Sequence, residues 1–389
     1  MSKHMSLIGL PLLFACGLPA AFCLGLCLAA APAQAQLSRT FVSAATGNDA
    51  NNCDRATPCR TFQGAHDKTD EQGEITVLDP GHYGPVVITK SISIVNGGGG
   101  EAGILVSAGA TGVTIDAPAA ASVNLRGLAI QGIGFGGSTG LVFNSGQALS
   151  LTNCVVRDHT ADGIEFMPTG SSRLALANTL VADNAGFGIV VQPRGAGTVQ
   201  ADLDRFEIHN NTSVGLFVNG EDSTGTVDAI VRESVAANNG YGLFVNSTAE
   251  RAPTSLTMVR TVAADSRGNG ILATGPTATL RVGTSTITGN LTSWAVRGGA
   301  VLQSFGDDEI AGSGDRHPAP PMVRTVAADS RGNGIVATGP TATLRVGAST
   351  ITGNSTSWAV RGGAVVQSFG DDEIAGNGDR HPAPMARGK

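Results

Sequence analysis

The sequence predicts an all-β protein, a right-handed parallel β-helix (a solenoid) with an N-terminal cap. The first observation is a repeat. Short apolar segments headed by Gly140, Gly163, Gly188, Gly215, Gly242 and Gly270 recur at a near-constant interval along the chain. Four positions before each stands a turn residue: Gly136, His159, Asn184, Asn211, Asn238 and Ser266, with Asn290 next and Trp294 in its glycine place. The second is alternation. Pairs such as Leu149/Leu151, Leu174/Leu176, Ala201/Leu203, Leu256/Met258 and Leu280/Val282 are split by single residues, and a further apolar residue follows at Val156, Val181, Ile208, Val235, Ala263 or Ile287. That period belongs to strands. The third is composition: 54 glycines and 4 % aromatic residues suit a narrow core with many tight turns. No repeat buries its apolar face alone, so stacking pairs each strand with its equivalent one rung on, about 4.8 Å away. The hand follows from the preference for right-handed parallel crossovers.

The elements follow in chain order. Lys3 and His4 precede an apolar run from Leu7 to Ala31, and Ala33-Gln34-Ala35 supplies a small-x-small cleavage site. Residues 1–35 read as a cleaved signal peptide, with a retained anchor as the alternative, which puts the mature chain in the periplasm or outside the cell. Removing Lys3 leaves 24 basic against 31 acidic side chains, a net charge of −7. That balance argues against nucleic acid as a partner, and against a membrane beyond the leader.

Residues 36–75 read as the cap, with Thr61–Gly73 as its helix-compatible stretch and Glu74–Gly81 as the first strand and turn. Cys53 and Cys59, six apart beside turn residues, suit a local disulfide in an oxidising compartment. Cys154, inside a strand pattern, reads as a small buried apolar residue. Residues 76–314 form the solenoid. Residues 258–321 then recur as 322–385 with only six of 64 positions changed. Turn positions Ser313 and Ser330 stand closer together than any two consecutive turns before them, and Pro318, Pro320 and Pro321 occupy the junction. Proline cannot donate to an interior ladder, so stacking is expected to break around 314–322, with the second copy as a β-helical appendage.

Phe41-Val42-Ser43, Thr46-Gly47-Asn48-Asp49, Thr57-Pro58-Cys59-Arg60-Thr61-Phe62 and Val77-Leu78-Asp79-Pro80-Gly81-His82-Tyr83 resemble the opening of secreted β-helix proteins of the pectin-lyase-like superfamily. The resemblance implies the fold. Activity stays open, because the superfamily spans lyases, hydrolases, epimerases and proteins without known activity.

Pectate-type lyases of that superfamily use Ca²⁺ held by acids, with a Lys or Arg base. The lysines here are Lys3, Lys68, Lys90 and Lys389, none in the central rungs. The central titratable cluster is Asp158, His159, Asp162, Glu165 and Asp183. Asp158 and Asp183 hold equivalent places, so they are candidates for a shared cation, Ca²⁺ by analogy, or for acid/base work. The alternative is a solvated acidic turn with His159 filling an asparagine position. Arg205, Arg232 and Arg260 read as a basic ladder able to grip carboxylates of an acidic glycan; local pairing with Asp204, Glu207 and Glu233 is the alternative. Val190, Phe217, Phe244 and Leu272 form an outward apolar stripe, a sugar platform unless a loop covers it. Gly132-x-Gly134-x-x-Gly137 and Gly136-x-Ser138-x-Gly140 match the dinucleotide-binding fingerprint and the nucleophile-elbow pattern, but both need a helix to follow, and a strand is expected instead. Together these readings favour an extracytoplasmic protein that binds polysaccharide or serves at the cell surface, with a Ca²⁺-dependent lyase of an acidic glycan as the second reading.

Overall fold

The computed structural model describes residues 37–304 apart from 99 and 135, and beyond them the backbone of strands between 308 and 375. The expected leader, residues 1–35, and most of the junction 314–322 lie outside the described residues. Among the described residues no helix is long and apolar enough to cross a membrane.

Three parallel sheets wind around one core. Sheet A runs from Leu37–Val42 to Val301–Ser304, sheet B from Gly81–His82 to Glu373–Ala375, and sheet C from Val86–Ile88 to Thr292–Arg297. Each rung visits A, B and C in turn, and every strand pairs in parallel with its equivalents on either side, as Leu149↔Leu174 and Val156↔Val181 show. The alternating apolar residues point inward. Leu174, Leu176, Val181, Ile189 and Val191 of one rung are all buried.

Two backbone devices turn the corners. At the A–B corner, Asn153, Asn178, Arg205, Glu233, Arg260 and Thr284 are all left-handed, with φ from 47 to 54°. At the B–C corner the same conformation falls on Asp158, Asp183, Asn210, Asn238, Asp265 and Gly289. Asn, Asp and Gly tolerate it best, which explains that column of residue types. The glycine column that opens each C strand has a different cause. A Cβ on Gly163, Gly188 or Gly215 would lie 2.6–2.7 Å from the next glycine's carbonyl oxygen, so nothing larger fits.

Inside the B–C corner, amides stack from rung to rung. The backbone N–H groups of His159, Asn184 and Asn211 donate to the side-chain oxygens of Asn184, Asn211 and Asn239 at 3.0–3.2 Å. The Asn184 and Asn211 amides also donate to the next side chain, at 2.9 and 3.0 Å. The member from the following rung is Asn239, and Asn238 is the left-handed residue before it. Counting back from Gly242 misplaces this rung by one. Here sheet A steps from Val199 to Val227 and sheet B from Ile208 to Ala236, whereas sheet C steps from Leu216 to Leu243, one position less. The turn after Asn239 is shorter by that one residue. Ala236 is therefore the inward residue, and Val235 is 38 % exposed. Asn290 heads a similarly short turn: Trp294 pairs with Ile271 and fills the core, so Ser293 holds the glycine place.

At the N-terminus, helix Phe62–Lys68 starts at Thr61, whose hydroxyl caps the Gly64 N–H, and buries Phe62, Ala65 and His66. Its strand begins at Thr69, earlier than Glu74, because residues 70–73 bulge around left-handed Gln72. Cys53 and Cys59 are bridged, and Cys154 is free and buried.

Sheet B continues into the second copy: Asp308–Ala311 pairs with Thr325–Ala328, the shortest step along the chain in that sheet. Among the described residues sheets A and C do not continue. In the second copy their equivalents form separate ladders, Met322–Val323 with Thr343–Gly347 and Val365–Ser368, and Asn333–Thr338 with Thr356–Arg361.

Candidate functional site

The acidic candidates divide by the direction of their side chains. Asp158 and Asp183 occupy equivalent left-handed positions at the B–C corner. Asp158 lies 3.5 Å from Arg157 Nε, and the Asn210 amide donates to Asp183 at 2.9 Å. Among the described residues no three Asp, Glu, His or Cys side chains converge as a metal cradle. At these left-handed positions the Asp residue type also answers to backbone conformation.

His159 points inward and begins the amide stack. It is 2 % exposed, its Nε2 lies 3.3 Å from the Ile130 carbonyl oxygen, and its Nδ1 is buried without a partner. Burial holds its pKa below the ordinary 6.5. It fills an asparagine position and does not meet the outward acids.

Asp162 and Glu165 do come together. Their carboxyl groups are near enough for each to influence the other's ionisation. Burial raises the pKa of Asp162, against the pull of the Phe187 N–H, which donates to Asp162 Oδ1 at 2.7 Å. Burial also raises Glu165, the neighbouring Asp162 charge adds to it, and Thr139 Oγ1 (3.2 Å) and Arg194 oppose it. The turn carrying Phe187 lies so close that a Cβ on Gly186 would stand 2.0 Å from Asp162 Oδ1. The charge of each carboxyl disfavours ionisation of the other.

The same contact leads into an aromatic row. The Phe187 ring stacks on Phe217 with centroids 5.4 Å apart, and Phe217 packs on Phe244 at 4.8 Å. Phe217 and Phe244 are in register on the outer face of sheet C, and Glu165 stands two rungs before Phe217 in the same column, across Val190. All three rings are half-buried, whereas Val190 and Leu272, expected as part of the outward stripe, are each only 4 % exposed. Sequence reading missed Phe187, because it lies in the turn before its glycine and outside the strand column.

The basic ladder is not one. Glu233 holds the left-handed place between Arg205 and Arg260, and Arg232 stands one residue earlier, opposite Asp204 and Val259. The one-residue slip of that rung is the reason. Each arginine has a local acid: Arg205 with Asp204 at 2.7 Å, Arg232 with Asp202 at 3.4 Å, and Arg260 with Glu233 at 2.7 Å. An open hollow of about 420 Å³ lies at this corner, lined by Arg205, Glu207, Glu233, Leu180 and Val235 among others.

Residues 111–290 match the family model described as a right handed beta helix region. No curated protein sequence matches the chain. Among solved structures it resembles pectate lyase Pel9A (TM-score 0.52, 15 % identity, covering 72 % of this chain and 79 % of that one). It also resembles the A-module of the Azotobacter vinelandii mannuronan C-5 epimerase AlgE6 (0.54, 15 %, 78 % and 91 %). The AlgE4 A-module from the same organism is similar too (0.52, 16 %, 80 % and 90 %). At such identities the likeness is one of fold. By its rungs, its ladders and this family match, the chain is a right-handed parallel β-helix protein of pectin-lyase-like fold.

Proposed function

We propose that this protein is an extracytoplasmic glycan-binding β-helix, and that its site is the face of sheet C bearing Asp162, Glu165, Phe187, Phe217 and Phe244. The observation that carries the reading is the continuity of that face. Asp162, beside Glu165, accepts the Phe187 N–H, and the Phe187 ring stacks on Phe217, which packs at a tilt against Phe244. Phenyl faces pack against the C–H surface of a sugar ring, while carboxyl oxygens accept hydrogen bonds from its hydroxyls. Three proteins that share the fold are named for pectate or mannuronan chemistry, which supports a polysaccharide as the ligand. The disulfide fits an oxidising compartment.

Binding is the reading that the phenyl row supports, since the fold alone assigns no reaction. The test is titration of wild type, Phe217→Ala and Phe244→Ala against an oligosaccharide panel. Each variant is expected to bind about tenfold more weakly, a loss of about 1.4 kcal/mol. Unchanged affinity in both would remove this face as the site. Unsaturated products from polygalacturonate or alginate with Ca²⁺ would replace binding by the lyase reading.

A further inference from the structure

We infer that the sheet C face selects sugar units that carry no carboxylate, amino sugars before neutral ones, and rejects uronates. The inference rests on the glycan-binding reading and adds the ligand's charge to it. Carboxylates border the phenyl row on both sides. On the B–C side stand Asp162, which accepts the Phe187 N–H, and Glu165, in the Phe217 column two rungs before it. Where strands Val214–Asn219 and Tyr241–Asn246 end, the Asn246 amide donates to Asn219 Oδ1 at 2.9 Å and to Glu221 Oε2 at 3.1 Å, and Gln192 Nε2 donates to Asp222 Oδ2 at 2.6 Å.

Those amides fix the acids in place without neutralising them. Arg194, the cation whose field reaches Glu165, already rests on Met167 Sδ at 3.3 Å, and Arg267 is held by the Thr212 carbonyl oxygen at 3.0 Å. The arginines that the sequence suggests for gripping an acidic glycan, Arg205, Arg232 and Arg260, flank sheet A and are paired with their own acids. A uronate laid over Phe217 and Phe244 would bring its carboxylate between two acidic borders, an arrangement like charges oppose. An ammonium group there meets attraction from both borders. A hydroxyl finds acceptors without a charge to overcome.

The experiment titrates the full chain at pH 6 with chitosan oligosaccharides, neutral galactan oligosaccharides and oligogalacturonates of equal length. Expected affinity falls in that order, with oligogalacturonate at least tenfold weaker than chitosan. Glu165→Gln is expected to narrow the gap severalfold, and Glu221→Gln, remote from the acid pair, to narrow it independently. Should one variant fail to fold by circular dichroism, the other carries the test. Oligogalacturonate binding tightest, with both variants neutral, would overturn the charge selection while glycan binding stands. Absence of binding to all three, or binding untouched by Phe217→Ala, would overturn the glycan reading and the selection with it.

Discussion

His159 shows how a residue with catalytic credentials can serve architecture. It stands where Asn184, Asn211 and Asn239 stand in later rungs, buried, with Nδ1 lacking a partner. Its pKa in the folded chain lies below the ordinary 6.5, so above that value neither state carries the proton and stability is flat. Below it the unfolded chain takes up a proton that the folded one refuses, and stability falls by at most about 1.4 kcal/mol per pH unit. His159→Asn is expected to remove that share of the acid loss, measured as Tm of variant and wild type between pH 7.5 and 5; parallel curves would contradict it. Glu165 has the opposite sign. Its pKa is raised, so its contribution is complete below the ordinary 4.5 and is lost as pH rises. Glu165→Gln should raise Tm at pH 7.5 and leave it unchanged at pH 4. Thr284 holds a left-handed corner at φ 51° with a β-branched side chain, and its counterpart in the second copy is Ala348. Thr284→Gly is expected to stabilise by about 1 kcal/mol on chemical denaturation. At this scale the sequence disclosed which residues stood at corners. It could not disclose direction, which separates inward His159 from outward Asp162 only one turn away.

Among the elements, the asparagine stack holds the B–C corner. Asn211 accepts from the Asn184 N–H and side chain and donates to Asn239, His209 and Val181. Asn211→Ala strands the two buried donors of Asn184 and takes a side-chain donor from Asn239 Oδ1 and the Val181 and His209 carbonyls, and should cost about 3 kcal/mol, read from urea unfolding; a cost below about 0.5 kcal/mol would deny the stack its role. The strand pattern, the glycine column and the disulfide pair were legible because each answers to a local constraint: alternation, a carbonyl under 3 Å from a missing Cβ, and close spacing of two cysteines. The arginine ladder was misread for an equally local reason. In one rung sheet C advances one position less than sheets A and B, and no composition signal marks where the residue drops out. Phe187 escaped because the contact that makes it part of the site is with Phe217, one rung on.

For the whole molecule, the tandem duplication meets a solenoid in which every other step of sheet B is longer, and the shortfall falls on two sheets. Sheet B carries across on the short step from Asp308 to Thr325, and sheets A and C restart. We propose that residues 322–385 extend the solenoid by one face without adding a site. The candidate face exists only if equivalent residues of successive rungs lie over one another. Spin labels on the outer face of sheet A test this directly. From Ser93 the register runs through Asn124, Ser150, Ala175, Asp202, Ile230, Thr257 and Arg281. Distances measured from a label at Ser93 to labels at Asp202, Thr257 and Arg281 are expected near ~19, ~29 and ~34 Å, one increment of about 4.8 Å per rung. Distances that fail to grow with rung number would contradict the stacked coil and the face built upon it.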